Sequence, residues 1–119
     1  MAKYRLTHAA QVDISSILAW SHSAFGEEAS RRFEALITAA IRDAAACRDA
    51  VGRTMRPELG EGVFTWHLMQ SRTHSSGGAV HRPRHFLICR YDGETLVIGR
   101  VLHDVMELRR HLHPRQIWE

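Results

Sequence analysis

His85-Phe86-Leu87-Ile88-Cys89-Arg90-Tyr91-Asp92-Gly93-Glu94-Thr95-Leu96-Val97-Ile98-Gly99-Arg100-Val101-Leu102-His103 consists of two apolar runs on either side of Asp92-Gly93. Asp-Gly supplies the positive φ that a tight hairpin needs, so the stretch is expected to fold as a β-hairpin. Both arms are rich in Leu, Ile, Val and aromatic residues and do not alternate cleanly with polar ones. Strands of that kind belong in the middle of a sheet, covered on at least one face. Charge enters at Arg90 in the first arm and at Arg100 and His103 late in the second. An Arg set among Gly99, Val101 and Leu102 costs desolvation unless its guanidinium reaches a partner or an open face.

Outward from the hairpin, Val63 to Met69 alternates, with Phe64, Trp66 and Leu68 on one side and Thr65 and His67 on the other. That pattern predicts a half-buried strand. Ser71 to Pro83 is polar, carries Gly77-Gly78 and reads as a long, mobile connection. Arg53 to Gly62, with Pro57, Gly60 and Gly62, reads as a loop. Before it, Ala29, Phe33, Leu36, Ile37, Ala40, Ile41, Ala44 and Cys47 form one apolar stripe of a helix opened by Glu27 and Glu28, where negative charge suits the dipole. Gly52 is its expected stop. An earlier helix runs from Ala9 to about Ser23, capped by Thr7, with Ala10, Ile14, Ile17, Leu18 and Ser21 in register and Val12 and Trp20 off it. Phe25-Gly26 breaks the run, so the two helices form an antiparallel hairpin. Lys3 to Leu6 is a short strand. Downstream, Asp104 to His113 reads as one short tail helix ended by Pro114.

The chain has 119 residues, enough for one modest core, and neither repeats nor a second domain are visible, so residues 1–119 are expected to form one domain. The 45% apolar content is that of an ordinary globular domain. A net charge of +3 permits an acidic partner without demanding one, and nine histidines make partner binding open to pH dependence. Cys47 and Cys89 have no metal-type spacing and read as buried free thiols. The N-terminus has no apolar leader segment and no run approaches a membrane span, so a cytoplasmic protein is expected.

The residues Arg100-Val101-Leu102-His103, then Met106, then Arg110-His111-Leu112, resemble the closing pattern of the ParE branch of the RelE/ParE superfamily, the toxin halves of bacterial toxin–antitoxin pairs that include plasmid-stabilisation proteins. The order strand, helix, helix, strand, strand, strand, tail helix is similar to that family from Tyr4 to Leu112. The resemblance implies an α+β fold in which a short N-terminal strand and an antiparallel helical hairpin pack with a small antiparallel sheet, followed by a short C-terminal tail helix. It also implies a toxin that inhibits DNA gyrase, uses no cofactor and is held by a ParD-like antitoxin encoded nearby in a hetero-oligomer. Nucleic acid would then be reached only through the antitoxin. The Ser71–Pro83 connection departs from the tight turn of many relatives.

Metal-free RNA cleavage needs a base, a cation and an acid around one phosphate. Arg84, Arg90, Arg100, His67, His85 and His103 could line one sheet face, and Arg84, Arg100 and His103 are the residues such a nuclease would use. No Tyr follows Arg100, as the resemblance to the RelE branch would require, so a ribosome-dependent mRNA endonuclease is the competing reading and no catalytic residue is expected. His111-x-His113 and the scattered His67, His74, His81 and His85 lack the paired spacing of a zinc site, so no metal ligand is expected. The basic clusters Arg82-Pro83-Arg84-His85 and Arg109-Arg110-His111 read as solvated faces. Trp20, Phe25, Trp66 and Trp118 are the antitoxin-binding candidates, because Trp and other aromatics are enriched in interfaces. Arg100, His103, Met106 and Arg110 are the candidates for contacting the target or anchoring the tail.

Overall fold

The structure, a computed structural model, describes residues 3–46, 52–75, 80, 82–104 and 117–118. Strand β1 (Lys3–Leu6) leads into α1 (His8–Phe25) and α2 (Glu27–Ala46), and then come β2 (Arg53–Met55), β3 (Phe64–His67), β4 (His85–Asp92) and β5 (Thr95–His103). Short 3-10 segments lie at Pro57–Leu59 and Leu68–His74. The fold is the expected α+β arrangement of a helical hairpin on a sheet.

Thr7 starts α1 in two ways. Its hydroxyl accepts from the Ala10 amide at 3.1 Å and donates to the Gly99 carbonyl at 2.8 Å, so the helix cap is also a fastener to β5. Gly26, at φ 95°, makes the turn between the helices that a side chain would strain. On α2 the stripe Phe33, Leu36, Ile37, Ala40, Ile41 and Ala44 is buried. The end of α2 leaves carbonyls without helical partners. The Tyr91 hydroxyl donates toward the Ala44 and Ala45 carbonyls at 3.1 and 3.2 Å, and Arg53 also donates to Ala44 at 3.3 Å.

The sheet runs β1-β5-β4-β3-β2. The β4–β5 hairpin is its centre, with Asp92 opposite Thr95 and a register shift at Ile88/Cys89. The antiparallel sheet expected from the resemblance is extended at one edge by a parallel pair, because β1 lies alongside β5 in the same direction, Lys3 opposite Thr95 and Leu6 opposite Ile98. A parallel partner needs a long crossover, and the helical hairpin and the rest of the sheet supply it. At the other edge, β2 falls in what reads as a loop in the sequence. Its three residues pair with β3, Arg53 opposite Trp66 and Met55 opposite Phe64.

Both faces of the central strands are covered, which is why their sequences do not alternate. Leu87, Cys89, Leu96, Ile98 and Val101 join the helices in one core. Phe86, Ile88 and Leu102 meet Leu59, Val63 and Ile117 on the other face, with Trp118 packed against them. Gly99 is a close approach: a Cβ there would collide with the Ile117 side chain and the Trp118 ring. The Arg90 guanidinium lies 4.5 Å from the centre of the Trp118 ring. The start of the Ser71–Pro83 connection is tied down, in contrast to a mobile loop. Ser71 is buried under the Trp66 indole, His74 Nδ1 is 2.8 Å from Asp43 on α2, and Arg72 donates to the Val80 carbonyl at 3.0 Å. The expected tail helix, Met106, Arg110 and Cys47 lie outside the described residues.

Candidate functional site

Trp20, which lies off the helical stripe of α1, and Phe25, which ends the helix, are 59% and 68% exposed and meet edge to face at 5.5 Å. They form the outer lip of a groove of about 720 Å³. One wall is Ser16, Ile17 and Ser21 of α1 with Ala29 and Phe33 of α2, and the other is Val80, Arg82, Pro83, Arg84 and His85 running into β4, with His103 at the end of β5. The groove is therefore apolar along the helices and basic along the sheet end. Among the described residues its lining includes Arg32, Arg82, Arg84, His85 and His103 and no carboxylate.

The basic end is organised by Asp104, directly after β5. Its carboxylate accepts from Arg84 Nε at 3.1 and 3.2 Å, lies 3.2 Å from His67 Nε2 and is 3.7 Å from His103 Nδ1. Burial pushes the Asp104 carboxyl up, but hydrogen bonds to His67 and Arg84 and the nearby positive charge outweigh it and hold it below its ordinary value. His85 stands edge to face with both Phe33, at 5.4 Å, and His103, at 5.0 Å. Burial first, then the proximity of His103 and His67 against the opposing pull of Asp104, lowers the His85 pKa from 6.5 to about 4. At neutral pH that ring is uncharged.

Arg100 is not part of this cluster. Its guanidinium makes a two-pronged contact with Asp13 of α1, Nε to Oδ2 at 2.7 Å and Nη2 to Oδ1 at 3.0 Å, and Asp13 Oδ2 also accepts the Val101 amide at 3.0 Å. The hydrogen bond to Asp13 raises the Arg100 pKa further, against a smaller opposing effect of burial. Arg100 thus bolts α1 to β5, and the nuclease grouping of Arg84, Arg100 and His103 is divided between two places. Trp66 is 4% exposed and donates its indole N–H to Ser71, so its place in the core takes it out of the set of surface antitoxin candidates. Trp118 covers the opposite face of the sheet. Trp20 and Phe25 are the two of the four that the fold brings together.

Asp13 and Asp104 were not singled out by the sequence as site residues, and Arg82 was read there only as part of a solvated basic face. Asp13 had a signal: it follows Ala10 by three and precedes Ile17 by four, which puts a carboxylate on the apolar stripe of α1, where an Arg elsewhere must answer it. Among the described residues no cluster of metal-ligating groups is present, and no helix is long and apolar enough to cross a membrane. Cys89 is fully buried, and burial pushes its thiol well above the ordinary range, which makes it unreactive.

Three comparisons bear on this architecture. The family described as the ParE toxin of the type II toxin–antitoxin system, parDE, matches residues 4–108. A chain from the chromosomal ParDE toxin–antitoxin system of P. aeruginosa has the same fold, with a TM-score of 0.61 and 18% identity over 87% of this chain and 96% of that one. No curated protein matches.

Proposed function

This chain belongs to the ParE toxin family of type II toxin–antitoxin systems, and from that premise we propose that it inhibits DNA gyrase in the cytoplasm and is neutralised by a ParD-like antitoxin encoded nearby, which covers the groove between the helical hairpin and the sheet end. The observation that carries the antitoxin part is the exposed Trp20–Phe25 pair on the lip of an apolar groove. Two large aromatic side chains left in water are unfavourable for a lone domain and typical of an interface centre. An amphipathic segment laid in such a groove anchors by its apolar face.

The gyrase part is supported by the family and by the fate of Arg100. A guanidinium held on both prongs by a carboxylate is poorly placed to stabilise a developing phosphorane charge. The reading as an mRNA endonuclease loses one of its three named groups by that contact. Purified protein added to a gyrase supercoiling reaction is expected to inhibit it, with relief by the product of the adjoining antitoxin gene. Intact supercoiling together with cleavage of ribosome-bound message would replace this reading by the nuclease one. Trp20→Ala is expected to weaken antitoxin binding by about thirtyfold, as for an interface anchor worth about 2 kcal/mol, with the melting temperature unchanged. Titration calorimetry and a thermal melt check the two halves of that statement.

A further inference from the structure

We propose that the basic end of the groove is a carboxylate socket, in which an acidic side chain of the antitoxin segment is received by Arg82 and the His85–His103 pair while a neighbouring apolar side chain of the same segment lies against Ile17, Trp20, Phe25 and Phe33. The proposal rests on the reading of the groove as the antitoxin site and adds what the bound segment must carry. The first argument is charge balance. Among the described residues, three arginines and two histidines line the groove and no carboxylate does. Arg32 is answered by Glu28 at 2.7 Å and Arg84 by Asp104 at 3.1 Å. Among the described residues Arg82 makes no ion pair, so within them the groove keeps a cation to spare. Its backbone supplies the second argument. At φ 52° it is the one non-glycine among the described residues in the left-handed region, a strained conformation that places it on the rim just before Pro83.

The third argument concerns the imidazoles. Among the described residues, the groups facing His85 are His67 from β3, Arg84 preceding β4, His103 ending β5 and Asp104 just after it, and the Phe33 ring from α2, with Arg32 further along the lining; α1 contributes Ser16, Ile17, Trp20, Ser21 and Phe25 to the groove. Asp104 is the single anion in that set, and it is already shared among His67, Arg84 and His103. His85 Nδ1 is buried with no hydrogen-bond partner among the described residues. A carboxylate brought beside His85 favours its charged form, so binding takes up protons. A nucleic acid fits less well, since the long helical wall offers Ile17, Ala29 and Phe33 rather than a row of cations for successive phosphates.

The test uses the purified product of the adjoining antitoxin gene and the full toxin chain. Calorimetry between pH 7.5 and 5.5, in buffers of different ionisation enthalpy, is expected to show proton uptake and a Kd that falls several-fold, up to about tenfold for each unit by which the His85 pKa rises. Arg82→Gln is expected to weaken binding about tenfold, and His85→Gln to abolish the proton uptake. Imidazole NMR titration of the wild-type chain covers the case in which His85→Gln does not fold: the His85 transition should move up from about 4 on binding. A complex that forms without proton uptake and is indifferent to Arg82→Gln overturns the socket and leaves the antitoxin site standing. Failure to form any complex overturns the antitoxin reading and the socket with it. Arg82-dependent binding of a single-stranded oligonucleotide, in place of the antitoxin, overturns the choice of a carboxylate.

Discussion

Asp13 accepts three hydrogen bonds from β5, two from the Arg100 guanidinium and one from the Val101 amide, and its side chain is 14% exposed. Asp13→Ala leaves a half-buried guanidinium and an amide without that acceptor and is expected to cost about 2–4 kcal/mol, below the full cost of breaking a deeply buried pair. Arg100→Ala should cost somewhat less, because Asp13 keeps the Val101 amide. The double variant should fall short of the sum, since the two residues share one interaction. Chemical denaturation of the four proteins measures all of this. His85 sets the acid side of the stability curve. Its folded pKa of about 4 lies below the ordinary 6.5, so between those values the unfolded chain binds more protons. The stability it confers is complete at neutral pH and is lost as pH falls from about 6.5 toward 4, at up to about 1.4 kcal/mol per unit. Asp104, held below its ordinary value, adds a second loss only under more acid conditions, at and below about pH 4. Thermal melts from pH 7 to 4.5 should therefore fall in wild type and flatten in His85→Phe.

Among the elements, the Asp92-Gly93 hairpin and the α2 stripe were readable because each is decided within a dozen residues, by turn chemistry and by a period. Strand β2 was hidden because three residues, Arg53-Thr54-Met55, carry no periodicity, and pairing with β3 rather than propensity makes them a strand. The 3-10 segment Leu68–His74 was hidden likewise: its polar residues are held by Trp66 and Val80 close by and by Asp43 on α2, contacts with no period to announce them. For the site, the aromatic half was legible in Trp20 lying off the helical stripe, whereas the Asp104 cluster was not. Its members come from three strands that meet only in the sheet. The Arg100-to-His103 run drew notice as one motif, yet its two polar ends serve different structures, Asp13 on α1 and the groove. Gly99 between β5 neighbours is a further element-scale case. Gly99→Ala is expected to displace Ile117 and Trp118 and to lower stability by about 1–3 kcal/mol, as overpacking does. Thr7→Ala, by contrast, should cost about 1–2 kcal/mol through loss of the cap and the Gly99 contact. Urea unfolding of both variants checks the pair.

At the scale of the molecule, the sheet has one face given to the helices and the groove, and the other closed by Leu59, Val63, Ile117 and Trp118. The two faces should therefore respond independently. A variant at Trp20 alters partner binding and spares the fold, and one at Gly99 alters the fold and weakens partner binding only through it. The parallel edge also carries a consequence for the order in which the molecule is made. Thr7 bonds to Gly99, 92 positions later, and all four β1 pairings are with Thr95 to Ile98. During synthesis the helical hairpin can close at once from local contacts, while β1 waits for almost the whole of the remaining chain to be translated, several seconds at about 5–20 residues per second. Over much of that interval the nascent protein has its apolar helix stripes without the central β4–β5 hairpin to cover them. Ribosome-stalled chains ending before Thr95 are expected to be cut readily by protease within Lys3–Leu6, and those extending well past His103 to resist, so that toxin folding is completed late and all at once rather than grown from the amino end.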